Sequence, residues 1–161
     1  MNHKIDPKLD LVLERTTDVA PELIYKAWTE PEHLKKWFCP KPWMTIEAEL
    51  DLRPGGIFRT VMQSPQGDKF PNVGCVLEVV KNRKLVFTSV LLPDYRPAPA
   101  AGEHDIPFTS IVLLEPHGSG TKYTAIALHR DEAGRIAHEK MGFHEGWGAA
   151  FEQLIAHVKG L

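Results

Sequence analysis

Histidines with carboxylates beside them are the residues best equipped for chemistry in this chain of 161 residues. His138-Glu139 and His144-Glu145 each begin like the helix of a zinc hydrolase, where a second histidine four positions on completes the metal-binding face. Neither pair has that second histidine. His138 and His144 are six residues apart, roughly 120° around a helix, so they cannot easily share one ion. The sequence predicts no metal site and calls for no cofactor. Gly118-Ser119-Gly120-Thr121-Lys122 has the residue types of a phosphate loop without its spacing, and it falls between two strand-like segments rather than ahead of a helix. It reads as a turn. Ser119 lacks the nucleophile-elbow pattern, and no nucleophile has a local base. What remains is a set of polar groups that a pocket could use: His144, Glu145 and His129. A histidine facing a cavity titrates near neutrality and can bind or polarise a carbonyl or phenol. The alternative is an ordinary hydrogen-bonded or surface histidine. Glu47 and Glu49 fall on the wet side of a strand.

The elements that must position these groups are legible from periodicity. Leucines at every second position in Leu9–Arg15 mark a half-buried strand. Pro21 suits the first turn of a helix carrying Leu23, Ile24, Ala27 and Trp28 on one face. Pro31 opens a second short helix with Leu34, Trp37 and Phe38, and Pro40 and Pro42 stop it. Met44 to Leu52 alternates strictly, with Met44, Ile46, Ala48, Leu50 and Leu52 on a dry face, which favours an antiparallel sheet wet on one side. Further strands are expected over 57–63, 73–81, 85–92, 108–115 and 121–129. Residues 93–107, rich in proline and alanine, read as a long loop placed to close an entrance. Trp147, Phe151, Leu154, Ile155 and Val158 form one stripe of an amphipathic helix beginning between Asp131 and His138. Gly160 ends it. An antiparallel sheet with one apolar face needs a cover, and this helix is long enough to supply it. The expected architecture is α+β: a curved antiparallel sheet of six to seven strands around a long C-terminal helix. A single domain spans residues 9–159, after a polar tail at 1–8.

The net charge of −2 and the absence of a basic stripe argue against nucleic acid as a partner. Lys35, Lys36 and Lys41 read as a solvated group. No apolar run reaches membrane length and no signal peptide is evident, so the sequence predicts no membrane association and a cytoplasmic location. Cys39 and Cys75 match no metal or redox spacing and are expected to be reduced.

In order and spacing these pieces resemble the helix-grip fold of the START-related, polyketide-cyclase-like superfamily (SRPBCC). More narrowly, they resemble the single-domain bacterial type of the family named for the activator of the heat-shock-protein-90 ATPase. Ala20-Pro21-Glu22 to Thr29 resembles that family's first helix, and Pro31-Glu32-His33-Leu34 to Phe38 its second. Asp51-Leu52-Arg53-Pro54-Gly55-Gly56-Ile57-Phe58-Arg59 resembles its most recognisable motif. Gly74 to Val79 with Lys84 to Thr88 resembles its central hairpin, and Gly146-Trp147 to Leu154 lies in its closing helix. The resemblance runs from about Leu9 to Val158. It implies a sheet gripping a helix with a deep hydrophobic cavity between them. The Asp51–Arg59 motif reads as a corner that shapes the sheet, with Gly55-Gly56 supplying the turn.

The helix count back from Trp147 brings Met141, Phe143 or His144 toward such a cavity. Trp37 and Phe38 of the second short helix, and Phe58, Met62 and Phe87 of the strands, are candidate walls, with Trp147 and Phe151 from the C-terminal helix. Each aromatic residue also has a plain core reading. Three functions are then open. The leading one is binding of a small hydrophobic molecule. The others are a cyclase or hydrolase using a pocket His or Glu as acid–base, and a stress-related, co-chaperone-like protein interaction. A homodimer is compatible with all three.

Overall fold

The computed structural model describes residues 3–100, 102 and 105–161. Alternating leucines build strand β1 (Asp10–Thr17), in which Leu11 and Leu13 are buried. Pro21 begins α1 (Pro21–Thr29), where its missing N–H would be unpaired in any case, and Pro31 begins the one-turn α2 (Pro31–Leu34). Strands β2 (Met44–Leu50), β3 (Ile57–Gln63), β4 (Lys69–Val80) and β5 (Lys84–Thr88) follow as a meander. A separate small pair, β6 (Leu91–Leu92) and β7 (Arg96–Pro97), flanks a helical turn at Pro93–Tyr95. Then come β8 (Thr109–His117), β9 (Gly120–Leu128), α3 (Glu132–Lys140) and α4 (Phe143–Lys159).

Seven strands form one antiparallel sheet in the order β1-β9-β8-β5-β4-β3-β2. Strands β1 and β2 therefore lie at opposite edges, and α1 and α2 carry the chain between them. Phe151, Leu154 and Val158 of α4 share one core with Leu11, Leu13, Val112, Leu114, Tyr123 and Ala125 of the sheet, and with Ile24 and Trp28 of α1. This is the helix-grip arrangement. A second, smaller cluster of Val86, Ile111 and Ile126 lies apart from that core, with Val12, Leu77, Leu113 and Leu128 against it. These residues alternate in their strands with core residues, so the sheet's outer side is not simply wet. β-Branched side chains on neighbouring central strands shield one another there.

Three local features differ from the periodicity. The C-terminal helix is two helices. Gly142 takes φ +97°, a left-handed conformation that ends α3 and opens α4. A stripe count registers side-chain spacing and cannot register a backbone reversal at glycine. Asp131 caps α3 by accepting from the Gly134 N–H at 2.8 Å.

Strand β2 carries a bulge between Thr45 and Glu47. One extra residue exchanges the two faces. Thr45 is consequently buried and Met44 is 58% exposed, the reverse of the strict alternation. The strand stops at Leu50, and Leu52 lies outside it, exposed, in the corner that follows.

Strand β4 begins four residues before Val73. Pro71 sits opposite Val61 of β3, while β5 pairs only from Cys75 onward. A proline is tolerated in such a one-sided stretch because no ladder bond is lost on the open side.

The corner at Asp51–Gly56 is structural. Arg53 Nε donates to Asp51 Oδ2 at 2.7 Å, and Arg53 Nη2 lies 3.7 Å from Asp94. Gly55 has φ +87°, and the Tyr95 ring packs over it. A side chain at Gly56 would collide with the Asp51 carbonyl oxygen. The Gly55 N–H donates to Val76 O at 2.7 Å, and the Asp94 N–H donates to Gly55 O at 2.7 Å. The motif thus joins β3, β4 and the 93–95 turn.

Candidate functional site

Between the sheet and the first half of α4 lies a cavity of about 670 Å³. That is within the range of pockets that hold small molecules, roughly 300–1,000 Å³. Its interior wall is aromatic on two sides. On one, Phe58 and Phe87 stack with ring centres 4.2 Å apart, and Trp28 meets Trp37 edge to face at 4.9 Å, with Phe38 against both tryptophans. On the other, Phe143 lies 4.5 Å from Trp147, and Phe108 lies 4.9 Å from His138. The exposed lining residues Trp43, Met141 and Val73 mark a mouth with an apolar rim.

The polar groups of the buried tryptophans are satisfied. Trp37 Nε1 donates to Ala27 O at 3.0 Å, and Trp28 Nε1 donates to the Tyr123 hydroxyl at 3.2 Å. Burial raises the Tyr123 phenol well above its ordinary pKa, against the Trp28 hydrogen bond, so it stays neutral. Gln153 of α4 donates to Trp37 O and Cys39 O at 3.0 and 2.8 Å and accepts from the Lys41 N–H at 3.0 Å. This one side chain fixes the segment after α2 as a cavity wall. Cys39 and Cys75 are buried and free. Burial pushes the Cys39 thiol up, opposed by its contact with Thr45, which makes it a poor nucleophile. No aspartate or glutamate is in the lining among the described residues, and Lys41, a cation, is exposed at the mouth.

Among the described residues, His138 is the histidine of the lining. Its Nδ1 lies 2.8 Å from His129 Nε2, and His129 Nδ1 lies 2.8 Å from Leu9 O. Both rings are buried. Burial first, and the neighbouring His129 second, push His138 down to about 4. The imidazole is therefore neutral at physiological pH.

Nine of the ten residues expected at a cavity line this one: Trp37 and Phe38 from the segment after α2, Phe58, Met62 and Phe87 from the sheet, and Met141, Phe143, Trp147 and Phe151 from the helix side. His144 does not. It is half exposed, with Nε2 3.4 Å from Glu139 on the surface. At about 100° per residue it falls roughly 70° off the midline of the buried stripe of α4. Glu145 is exposed as well, and Glu47 pairs with Arg59 at 3.2 Å on the outside. None of the described residues of 93–107 lines the cavity, and Ala101, Glu103 and His104 of that loop lie outside the described residues. Its neighbours Ser89 and Phe108 do line it. No group of three metal-ligating side chains occurs among the described residues, and no helix is long and apolar enough to cross a membrane.

His138, Tyr123 and Phe108 are among the lining residues that periodicity did not place at a cavity. No spacing rule joins a strand-end histidine to another nine residues on. The readable signal for the pair was two histidines bracketing a capped helix start.

A sheet gripping a helix over an aromatic cavity defines the SRPBCC class. Residues 18–159 match the family model described as "Activator of Hsp90 ATPase homolog 1-like protein", and the chain belongs to that family. A crystal structure of a protein from Nitrosomonas europaea is 49% identical, covers 97% of each chain and superposes with a TM-score of 0.92. A protein from Arthrobacter aurescens has the same fold at 21% identity, covering 99% of this chain and 91% of its own, with a TM-score of 0.82. An AHSA1-like protein from Aeromonas hydrophila, 18% identical, covers 94% and 93% with a TM-score of 0.71. No curated protein matches the chain.

Proposed function

We propose that the protein binds a small, hydrophobic, flat molecule in the cavity between the sheet and α4. The carrying observation is the lining itself: aromatic faces from both sides around about 670 Å³, with no carboxylate among the described lining residues. Burying an aromatic ligand of naphthalene size between such faces removes enough apolar surface to support micromolar binding, at roughly 25 cal/mol per Å² less the cost of immobilisation. The apolar mouth at Trp43, Met141 and Val73 gives such a ligand a path from water.

Native mass spectrometry of freshly purified protein, compared with its denatured mass, tests the reading directly. An added mass lost on denaturation is the expected result. An environment-sensitive apolar dye should also bind the folded protein, and Trp147→Ala should change its affinity several-fold. A protein that carries no added mass and takes up no apolar dye at any concentration would sink the reading.

A further inference from the structure

The hydrogen-bond chain behind the cavity fixes which face of His138 is presented to a ligand. A carbonyl oxygen only accepts, so His129 Nδ1, 2.8 Å from Leu9 O, carries a proton. With one proton on each ring, His129 Nε2 is then bare and accepts. Its partner at 2.8 Å, His138 Nδ1, must be the donor. That leaves His138 Nε2 without a proton. Among the described residues nothing hydrogen-bonds to this nitrogen. It is not sealed away either, since the described side-chain atom that is both sealed and unpartnered is Ser110 Oγ. His138 lines the cavity between Phe108, Phe143 and Trp147.

Several other polar groups of the lining are already engaged, while the Thr60 hydroxyl, also in the lining, has no hydrogen-bond partner among the described residues. The Thr88 hydroxyl is shared with Thr109 at 2.8 Å, the Ser89 hydroxyl is tied to Phe108, and the Tyr123 oxygen accepts from Trp28. A bare imidazole nitrogen in an apolar wall is a strong acceptor with nothing to accept from. A buried acceptor left unmatched by a bound ligand costs free energy. Any apolar molecule that fills the cavity without a donor at this point leaves it so.

We propose that His138 Nε2 is the acceptor that orients the ligand, and that the natural ligand is an apolar molecule bearing a neutral hydroxyl or N–H donor directed at it. This deepens the binding reading above and rests on it. The specificity follows a general asymmetry. A pocket built to hydrogen-bond a donor rejects the analogue lacking it far more strongly than it registers an added methylene.

The test uses two probes of one shape, 2-naphthol and 2-fluoronaphthalene, titrated at neutral pH into the wild type and His138→Phe. The hydroxyl compound should gain over the fluoro compound by roughly tenfold in the wild type relative to the variant. An unchanged affinity ratio overturns the proposal. Long-range proton–nitrogen NMR of the wild type needs no variant. It should show protons on Nδ1 of both His129 and His138 and a bare His138 Nε2, whose signal moves with 2-naphthol and not with 2-fluoronaphthalene. A protonated Nε2 in the neutral ring overturns the proposal while leaving the cavity reading intact. Binding of neither probe removes the cavity reading and this one together.

Discussion

The two halves of α4 meet the same sheet and do opposite things with it. From Leu154 to Val158 the helix presents Leu154 and Val158, both buried in one core with β1, β8, β9 and α1, while Phe151, in the same core, marks the boundary and also lines the cavity. From Gly142 to Ala150 it presents Gly146 and Ala150 beside Phe143 and Trp147, and the cavity opens there. A β-carbon built on Gly146 would meet a single neighbour, Pro40, at 3.9 Å, an ordinary van der Waals contact with no overlap. The difference is one of side-chain volume along a continuous helix. Where the stripe is bulky the sheet is filled, and where it is small the sheet's aromatic face is left for something else. Stability and binding are thereby assigned to different ends of one element.

That division can be broken most sharply at Leu154. Leu154→Ala removes a fully buried side chain from the solid half and should cost about 2–5 kcal/mol in urea unfolding. The molecules that remain folded should bind an apolar probe with unchanged affinity. If binding falls in step with stability, the halves are not separate.

The opposite change fills the other half. Gly146→Leu should lower probe affinity at least tenfold, about 1.4 kcal/mol. Unfolding stability should hold or rise, since Gly→Ala alone in a helix is worth about 0.5–1 kcal/mol. Calorimetric titration beside a thermal melt checks both parts. A destabilised but still binding variant would show that Gly146 is needed for packing and not for space.

A third expectation concerns pH. His138 titrates near 4 when folded and near 6.5 when exposed, so between those values the unfolded chain binds the extra proton. Stability is therefore full above pH 6.5 and declines as pH falls toward 4. The decline should be about 1–2 kcal/mol, smaller than the full shift implies because the ring borders a cavity that water can reach. Urea midpoints from pH 7.5 to 4.5 should fall for the wild type and fall less for His138→Phe. A wild-type curve flat over that range would place His138 in a wetter setting than its burial indicates.

Much of this was legible in the chain. The α+β order, the antiparallel sheet and the stripe Trp147–Val158 came from spacing, because burial on one side of a regular element leaves a period behind. The aromatic wall residues were legible for the same reason, as Phe58 and Phe87 alternate into the core. The bulge at Ile46, the reversal at Gly142 and the outward turn of His144 were not. Each depends on backbone torsion or on where neighbouring cover ends, and neither leaves a period. The His129–His138 relay was hidden more deeply. It arises from the turn between β9 and α3, which brings two residues of unrelated elements to 2.8 Å, and pattern-reading treats elements one at a time.

The neck of the long 93–107 segment has a consequence of a different kind. Ser89 and Phe108 clasp each other through N–H to carbonyl and N–H to hydroxyl bonds, both at 3.1 Å, while Asp94 is held by Gly55 and Ala98 by Val90. Everything at the base is fastened, and none of the described loop body reaches the cavity. For protein engineering this is a graft point. Since lengthening a flexible loop twofold costs only about 0.6 kcal/mol in closure entropy, a tag or fluorescent module could be spliced in beyond Ala98. The aromatic walls would keep their places, giving a sensor scaffold whose reporter sits beyond a fastened loop base and whose receptor lies between sheet and helix.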